Sequence, residues 1–224
     1  MRTGSCYSAG VKPLVIDYGA GNLHSVRRAI EKAGFQPEVT DRPSALDGAR
    51  AVILPGVGAA ADTMSNLNAR GLAQPLKDYI ASGRPFLGVC MGLQALMSYS
   101  EEGGRHECLG VIEGRVTRFP PGLKVPQMGW NRVHRIGEHP ALDGIADGAY
   151  FYFVHSYYVE PVDPGVIAGT TEYGLSFPSL VAADNIVATQ FHPEKSGEAG
   201  LRIYRNFLDL AARGAIGASA TAAN

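Results

Sequence analysis

Apolar runs and helical spacings alternate along the first hundred residues. Continuous apolar runs predict strands buried on both faces of a sheet at residues 13–18, 51–54 and 86–89, and another strand is expected near residues 35–39. Alternation of these strands with amphipathic helices predicts a mostly parallel sheet with helices on both faces. The helices are marked by Leu23, Val26, Ile30 and Ala33, which precede Gly34, and by Leu72, Leu76, Tyr79 and Ile80, which precede Gly83.

The pattern changes near residue 101 to strands without long intervening helices. Stretches rich in aromatic and β-branched residues are separated by glycine, proline and aspartate turns. An antiparallel extension packed on the parallel sheet is therefore expected, followed by a last amphipathic helix. The strand stretches are residues 111–119, 128–134, 150–160, 166–171 and 180–191, and the helix is marked by Leu201, Tyr204, Phe207 and Leu208.

The length of 224 residues fits one α/β domain, which we expect over residues 13–213. Residues 1–12 are expected to be a loose leader, without the apolar core of a signal peptide, and residues 214–224 a small-residue tail that frays. No apolar run reaches membrane-spanning length. A formal net charge of −1 with 18% charged residues gives no basic excess of the kind that nucleic acid or an acidic membrane surface requires.

The chain contains three cysteines, Cys6, Cys90 and Cys108. They are too few and too irregularly spaced for a disulfide framework or a zinc site. We therefore expect a reducing, cytoplasmic location, no bound metal and no cofactor.

Cys90 follows the apolar run at residues 86–89 and is flanked by small residues, as in a nucleophile elbow with cysteine in place of serine. Such a turn lifts the sulfur over a helix N-terminus, where the unpaired amides favour the thiolate. The following helix is expected to bury Leu93, Leu96 and Met97, and Gln94 would share a helix face with Cys90. The alternative is an inert buried cysteine on a strand.

A cysteine nucleophile needs a base and a group that orients the base. His192 and Glu194 stand two residues apart at the end of a strand, so one carboxylate can hold one imidazole. Gly56, Val57 and Gly58 form a loop whose amides could face a developing oxyanion, together with the amide of Met91. Glycine turns after strands are common, so a purely structural loop is the alternative. No dinucleotide fingerprint or P-loop follows a strand.

Residues 88–94 (GVCMGLQ) and 192–194 (HPE) together resemble the class I, or triad, glutamine amidotransferases. Residues 17–22, 55–58, 126–131, 151–157 and 190–197 are similar, in the same order, to one branch of that class, and the resemblance covers roughly residues 14–210. Members of this branch pass ammonia to a (β/α)₈-barrel cyclase subunit that makes imidazole glycerol phosphate in histidine biosynthesis. The resemblance implies a flavodoxin-like α/β fold and a heterodimer with that cyclase.

The resemblance also implies a role for each matching position. It makes Cys90 the nucleophile, His192 the base and then the acid, and Glu194 the group that orients it. The peptide around Val57 would complete the oxyanion hole with Gly58 and Met91, with a rearrangement of the loop as one possibility. Ala60 departs from the aromatic residue found in many relatives. Glutamine contacts would come from Gly56, Gly58, Gln94, His155, Ser156 and Tyr157, and cyclase contacts from Asn22, Trp130, Asn131 and Lys195.

Two other functions remain open from the sequence. A stand-alone peptidase or esterase could use the same triad, although this function would not explain the presence of Gln94 on the same helix face as Cys90. A regulatory subunit with a decayed site is the second, and the intact Cys90, His192 and Glu194 argue against it. Trp130, the single tryptophan, could also be a core residue. Because no second catalytic domain follows Glu194, the ammonia is expected to be used by a separate protein.

Overall fold

The computed structural model describes residues 11–19 and 21–214 of the chain. The α-helices in these residues are α1 (Leu23–Lys32), α2 (Ala60–Ala69), α3 (Ala73–Ala81), α4 (Met91–Gln94) and α5 (Gly197–Arg213). The strands are β1 (Leu14–Ile16), β2 (Glu38–Thr40), β3 (Val52–Leu54), β4 (Phe86–Val89), β5 (Tyr99–Ser100), β6 (His106–Glu107), β7 (Gly114–Arg118), β8 (Gln127–Arg135), β9 (Ala149–His155), β10 (Tyr157–Pro161), β11 (Ile167–Glu172), β12 (Ser176–Ala183) and β13 (Ile186–Thr189).

Nine of the described strands form one sheet in the order β2-β1-β3-β4-β13-β12-β11-β8-β9. The first five pair in parallel, and the pairs from β13 through β12, β11 and β8 to β9 are antiparallel. The predicted fold class, a mostly parallel sheet flanked by helices with an antiparallel β extension, is confirmed. A second, four-stranded sheet, β10-β7-β5-β6, was not predicted.

The central parallel strands are buried on both faces, which explains their continuous apolar runs. In β1, Leu14 and Ile16 enter the core on one face of the sheet, whereas Val15 enters the core on the other. Helices α2 and α3 cover the first face, and α1 and α5 cover the second. Helices therefore cover both faces of the parallel strands. The carboxyl ends of these strands lie at one edge of the sheet, which is where ligands bind in such folds.

The single strand predicted over residues 150–160 is wrong. Strand β9 ends at His155 and β10 begins at Tyr157, and the two strands belong to different sheets. Apolar residues continue on both sides of Ser156, so the composition hides the break. The break places residues 155–157 where the chain passes from one sheet to the other. Residues 180–191 also divide, into the β12–β13 hairpin, with Asp184 at φ +48°.

The amphipathic helix predicted after residues 86–89 is also wrong in length. Helix α4 is a single turn, after which the amides of Leu96 and Met97 bond three residues back, to Leu93 and Gln94. Leu93, Leu96 and Met97 are buried as expected. Every residue from 91 to 97 is buried, so the segment has no polar face. The spacing of its apolar residues was therefore not evidence for an amphipathic helix.

The predicted leader and tail lie largely outside the described residues. At the first boundary, Val11 is buried and the Lys12 ammonium lies 2.7 Å from Glu38. At the second, Gly214 ends α5 in the left-handed conformation, at φ +65°. In the part of the chain between these boundaries that the structure describes, no helix is long and apolar enough to cross a membrane.

Candidate active site

Cys90 occupies a strained turn between β4 and α4. Its backbone has φ +54° and ψ −103°, a region that costs a residue with a side chain about 1–3 kcal/mol. The turn is tight because a side chain on Gly92 would overlap the carbonyl oxygen of Leu54, and one on Gly88 would lie 2.8 Å from the Gly92 oxygen. The Cys90 amide donates to the Thr189 carbonyl at 2.6 Å. The predicted elbow is therefore present, and the end of β13 holds it.

His192 reaches the elbow because β13 is the parallel neighbour of β4, with Thr189 opposite Val89. The chain leaving β13 consequently passes beside Cys90. The His192 Nδ1 atom lies 2.8 Å from Glu194 Oε1, and both side chains are only 2% exposed. The backbone of His192 is fixed at its amide, which donates to the Tyr152 carbonyl at 2.9 Å, and at its carbonyl, which accepts from the Ser196 hydroxyl at 2.6 Å.

The charge of His192 is set by competing effects. Burial lowers its pKa, but the charge and polar contact of Cys90, and then the hydrogen bond and charge of Glu194, outweigh burial and raise the pKa to about 10. Nδ1–H is therefore committed to Glu194. The other nitrogen, Nε2, is buried and has no hydrogen-bond partner among the described residues. The result is an imidazolium with one uncommitted N–H beside Cys90.

Two glutamines connect Cys90 to the pocket wall. Gln94 Nε2 lies 3.0 Å from the Tyr157 carbonyl and 3.1 Å from Gln190 Oε1. A carbonyl can only accept, so the amide orientation of Gln94 is fixed, and Gln190 must then turn its Nε2 toward Cys90 Sγ, 3.7 Å away. The sequence motif contains Gln190, but its contact with the sulfur was not predicted. Only the neighbouring positions of β4 and β13 in the sheet reveal it.

A pocket of about 380 Å³ opens over Cys90. Its lining includes most of the predicted catalytic, oxyanion and glutamine-binding residues. Gly56, which is buried, and Glu194 are not among them. Lys195, predicted at a partner contact, also lines this pocket. The lining residues are Val57, Gly58, Cys90, Met91, Gln94, Glu102, Val154, His155, Ser156, Tyr157, His192 and Lys195.

Two buried acceptors of the pocket lining have no partner among the described residues, Gln94 Oε1 and His155 Nε2. His155 Nδ1 lies 2.8 Å from the Tyr157 carbonyl, so Nδ1 carries the proton and Nε2 presents a lone pair. Burial lowers the pKa of His155 to about 4. The charge of His192 also lowers this pKa, whereas the hydrogen bond to Tyr157 raises it. His155 is thus neutral near pH 7, and the pocket offers two acceptors to a ligand that carries N–H groups.

The glycine loop (residues 55–58) follows β3 and forms the opposite wall. Val57 is 39% exposed, and Gly58 has φ +97°. The amides of Val57, Gly58 and Met91 donate to no other residue in the described part of the chain. Backbone amides without an internal acceptor, on residues that line a pocket beside a cysteine, can form an oxyanion hole when they turn toward the reacting carbonyl.

Glu102 is a pocket residue that the sequence did not reveal. Its Oε2 accepts the amide of Ala60 at 2.9 Å, which caps α2 directly after the glycine loop. The side chain also lines the pocket and supplies it with a carboxylate. Glu102 lies beyond β5 and carries no motif, so only the tertiary contact identifies it.

The remaining predicted residues lie on the surface. Trp130 is 55% exposed, which excludes the core alternative, and its ring packs edge-on against Tyr152 with centroids 6.2 Å apart. The Lys195 ammonium lies 5.7 Å from the centroid of the same Tyr152 ring. Asn131 donates to the Glu172 carbonyl at 2.8 Å, and exposed Asn22 caps α1 by accepting the Ser25 amide at 3.2 Å.

Comparison with known proteins places this geometry in a class. The family Glutamine amidotransferase class-I matches residues 14–210. A solved glutamine amidotransferase superposes with a TM-score of 0.71 at 21% identity, covering 88% of this chain and 98% of the other. PurLQS from Thermotoga maritima gives 0.70 at 18% identity, covering 89% and 98%. The chain thus belongs to the class I glutamine amidotransferases and has their fold.

Closer relatives narrow the class. The chain is 51% identical over 197 residues to the imidazole glycerol phosphate synthase subunit HisH of Dehalococcoides mccartyi, covering 88% of this chain and 96% of the relative. It is 53% identical over 197 residues to the same subunit of Herpetosiphon aurantiacus, covering 88% and 93%. The chain therefore belongs to the HisH family of class I glutamine amidotransferases.

Proposed function

We propose that this chain hydrolyses glutamine to glutamate and ammonia with Cys90, His192 and Glu194, and supplies the ammonia to a cyclase subunit. That cyclase would make imidazole glycerol phosphate and an aminoimidazole carboxamide ribotide in histidine biosynthesis. The proposal is supported by the relatives, which are named as subunits of imidazole glycerol phosphate synthase. The observation that carries the proposal is the His192–Glu194 pair held beside Cys90 in a pocket with uncommitted donors and acceptors.

The chemistry follows from the charges of the pair. The Cys90 thiolate attacks the side-chain amide carbon of glutamine, and the amides of the glycine loop and of Met91 stabilise the oxyanion. Nε2–H of the His192 imidazolium protonates the departing nitrogen, so ammonia leaves and a glutamyl thioester remains. Neutral His192 then takes a proton from water, which hydrolyses the thioester and regenerates the thiolate. Glu194 holds the imidazole in one orientation and stabilises its charge throughout.

Specificity for glutamine is supported by the unpaired groups of the pocket. Gln94 Oε1 and His155 Nε2 require N–H donors, which glutamine supplies from its amide and its ammonium group and which a simple ester lacks. Glu102 provides a carboxylate for the α-ammonium group, and Lys195 a cation for the α-carboxylate. This complementarity favours the amidotransferase over the stand-alone esterase.

The cyclase contact is proposed around Trp130, with Asn131, Lys195 and Asn22. Trp130 is an exposed aromatic residue, a type that is enriched at protein interfaces. Its neighbour Tyr152 also accepts the backbone amide of His192, so the surface is connected to the triad through a single residue. A cytoplasmic location is part of the proposal, since a reducing compartment keeps Cys90 reactive.

Co-expression with the cyclase tests the function. The complex should release glutamate from glutamine and make imidazole glycerol phosphate, and Cys90→Ala should abolish glutamate release while synthesis from added ammonia survives. Cys108→Ala is the matched control, because burial and then the charge of Glu107 raise the pKa of Cys108 to about 11 and leave it unreactive. Glutamate release by Cys90→Ala, or hydrolysis of simple esters without glutaminase activity, would refute the proposal.

A further inference from the structure

A buried hydroxyl lies beneath the glycine loop and has no assigned role. Tyr18 follows β1, and its side chain is fully buried. Its hydroxyl makes no hydrogen bond in the part of the chain that the structure describes, and neither does the buried hydroxyl of nearby Thr63. Leaving a buried hydroxyl unpaired is costly, so such a group calls for a partner that is present in another state of the protein.

The position of this hydroxyl identifies the partner. A side chain built on Gly56 would overlap the Tyr18 hydroxyl on one side and would lie 2.7 Å from Cβ of Met91 on the other. The Tyr18 hydroxyl therefore touches the backbone of the glycine loop from the protein interior, while Val57 and Gly58 face the pocket. Burial raises the pKa of Tyr18 to about 12, with a smaller contribution from the charge of Cys90 and against a polar interaction with the Thr63 hydroxyl. The geometry of that interaction falls short of a hydrogen bond, and the Tyr18 hydroxyl keeps its proton.

Peptide geometry connects this donor to the oxyanion hole. The N–H of Val57 and the carbonyl of Gly56 belong to one planar trans peptide and point in opposite directions. When the Val57 amide turns toward an oxyanion over Cys90, the Gly56 carbonyl must turn away from the pocket, toward the interior where Tyr18 lies. An inward carbonyl without a donor would itself be a buried unpaired group.

We propose that the Tyr18 hydroxyl is a positioning group that donates to the Gly56 carbonyl when the Val57 amide faces the oxyanion. This inference rests on the proposed glutaminase function. In the structure described here Tyr18 is unpaired, so the hydrogen bond exists only in the competent loop and stabilises that loop selectively. Tyr18 thereby shifts the population of the loop without touching glutamine.

Tyr18→Phe tests the proposal in the complex of this chain with its cyclase and acceptor nucleotide. Loss of one hydrogen bond present only in the competent state should lower kcat about fivefold to tenfold and leave KM for glutamine unchanged. Alkylation of Cys90 by iodoacetamide should keep its rate, because substitution at a saturated carbon forms no oxyanion. Thermal stability should be unchanged or higher, since no hydrogen bond of the resting state is lost.

Tyr79→Phe is the matched control. Tyr79 is equally buried, but its hydroxyl donates to the Pro85 carbonyl at 3.0 Å, away from the pocket. This variant should lose thermal stability and keep its kcat. A wild-type kcat in Tyr18→Phe, or an alkylation rate that falls in parallel with kcat, would overturn the role of Tyr18 alone. Absence of glutamate release from the wild-type complex would instead overturn the proposed function.

Discussion

Gln190 Nε2 lies 3.7 Å from the Sγ atom of Cys90, and the Gln190 oxygen is held by Gln94 at 3.1 Å. The fully buried amide of Gln190 thus donates toward the sulfur, and such a hydrogen bond is stronger to a charged acceptor than to a neutral thiol. The pair extends the site beyond the triad, to a residue that touches the nucleophile from β13.

Replacing this donor should reduce the reactivity of the sulfur. We expect Gln190→Leu to slow alkylation of Cys90 by iodoacetamide at pH 7 about tenfold, since one charge-assisted hydrogen bond is lost. Gln190→Glu, of the same shape, should slow it further because a carboxylate repels the thiolate. Stopped-flow alkylation of both variants measures the effect, and a wild-type rate in Gln190→Leu would show that the contact does not favour the thiolate.

The roles of His192 and Glu194 predict an order of losses. Glu194 fixes the imidazole through its contact of 2.8 Å and transfers no proton itself. Glu194→Gln keeps a polar group at that position and should lower kcat less than His192→Ala, which removes the acid and base. Steady-state kinetics on both variants provide the comparison. A larger loss in Glu194→Gln would reverse the assignment.

Neutral His155 makes the fold sensitive to acid. Its folded pKa is lowered to about 4 from an unfolded value of 6.5, so the unfolded chain binds a proton first as the pH falls. The stability contributed by neutral His155 is complete above pH 6.5 and is lost as the pH falls toward 4. Between pH 7.5 and pH 5.0 the loss is about 2 kcal/mol.

His155→Gln should remove this dependence, since glutamine can donate to the Tyr157 carbonyl and does not titrate. Urea unfolding at the two pH values gives the difference between wild type and variant. The exposed His134 is the control, and His134→Gln should follow the wild type. Parallel pH curves for wild type and His155→Gln would contradict the lowered pKa.

The sequence correctly predicted those elements whose local hydrophobic pattern matches their environment in the folded protein. Strand β4 lies at the predicted residues 86–89, and β13 pairs beside it as His192 requires. Helix α2 was missed because AADTMSNLNA contains few large apolar residues, although Met64 and Leu67 are buried. The position of Glu102 in the pocket and the contact of Gln190 with Cys90 depend on which strands become neighbours. The hydrophobic periodicity of the sequence does not contain that information. The break at Ser156 was missed for the same reason. The residues on its two sides are similar in composition and differ only in the sheet to which they belong.

Coupling between the surface and the triad gives the last prediction. The exposed Trp130 ring packs on Tyr152, and the Tyr152 carbonyl accepts the amide of His192. A partner that binds Trp130 therefore acts one residue away from the base. Unchecked hydrolysis would waste glutamine, so the isolated chain should be nearly inactive, with the cyclase and its nucleotide shifting the glycine loop into its competent form.

One absent oxyanion donor accounts for such an off state, because it costs about 3 kcal/mol, roughly a hundredfold in rate. Trp130→Ala and Asn131→Ala should weaken activation and leave the residual activity of the isolated chain unchanged. Val162→Ala, at a side chain that is 66% exposed and directly follows β10, should activate normally. The measurement is glutamate release by the chain alone, with cyclase, and with cyclase and nucleotide. Equal rates in all three conditions would exclude gating and favour a stand-alone hydrolase, because a donor already in place leaves the partner nothing to switch.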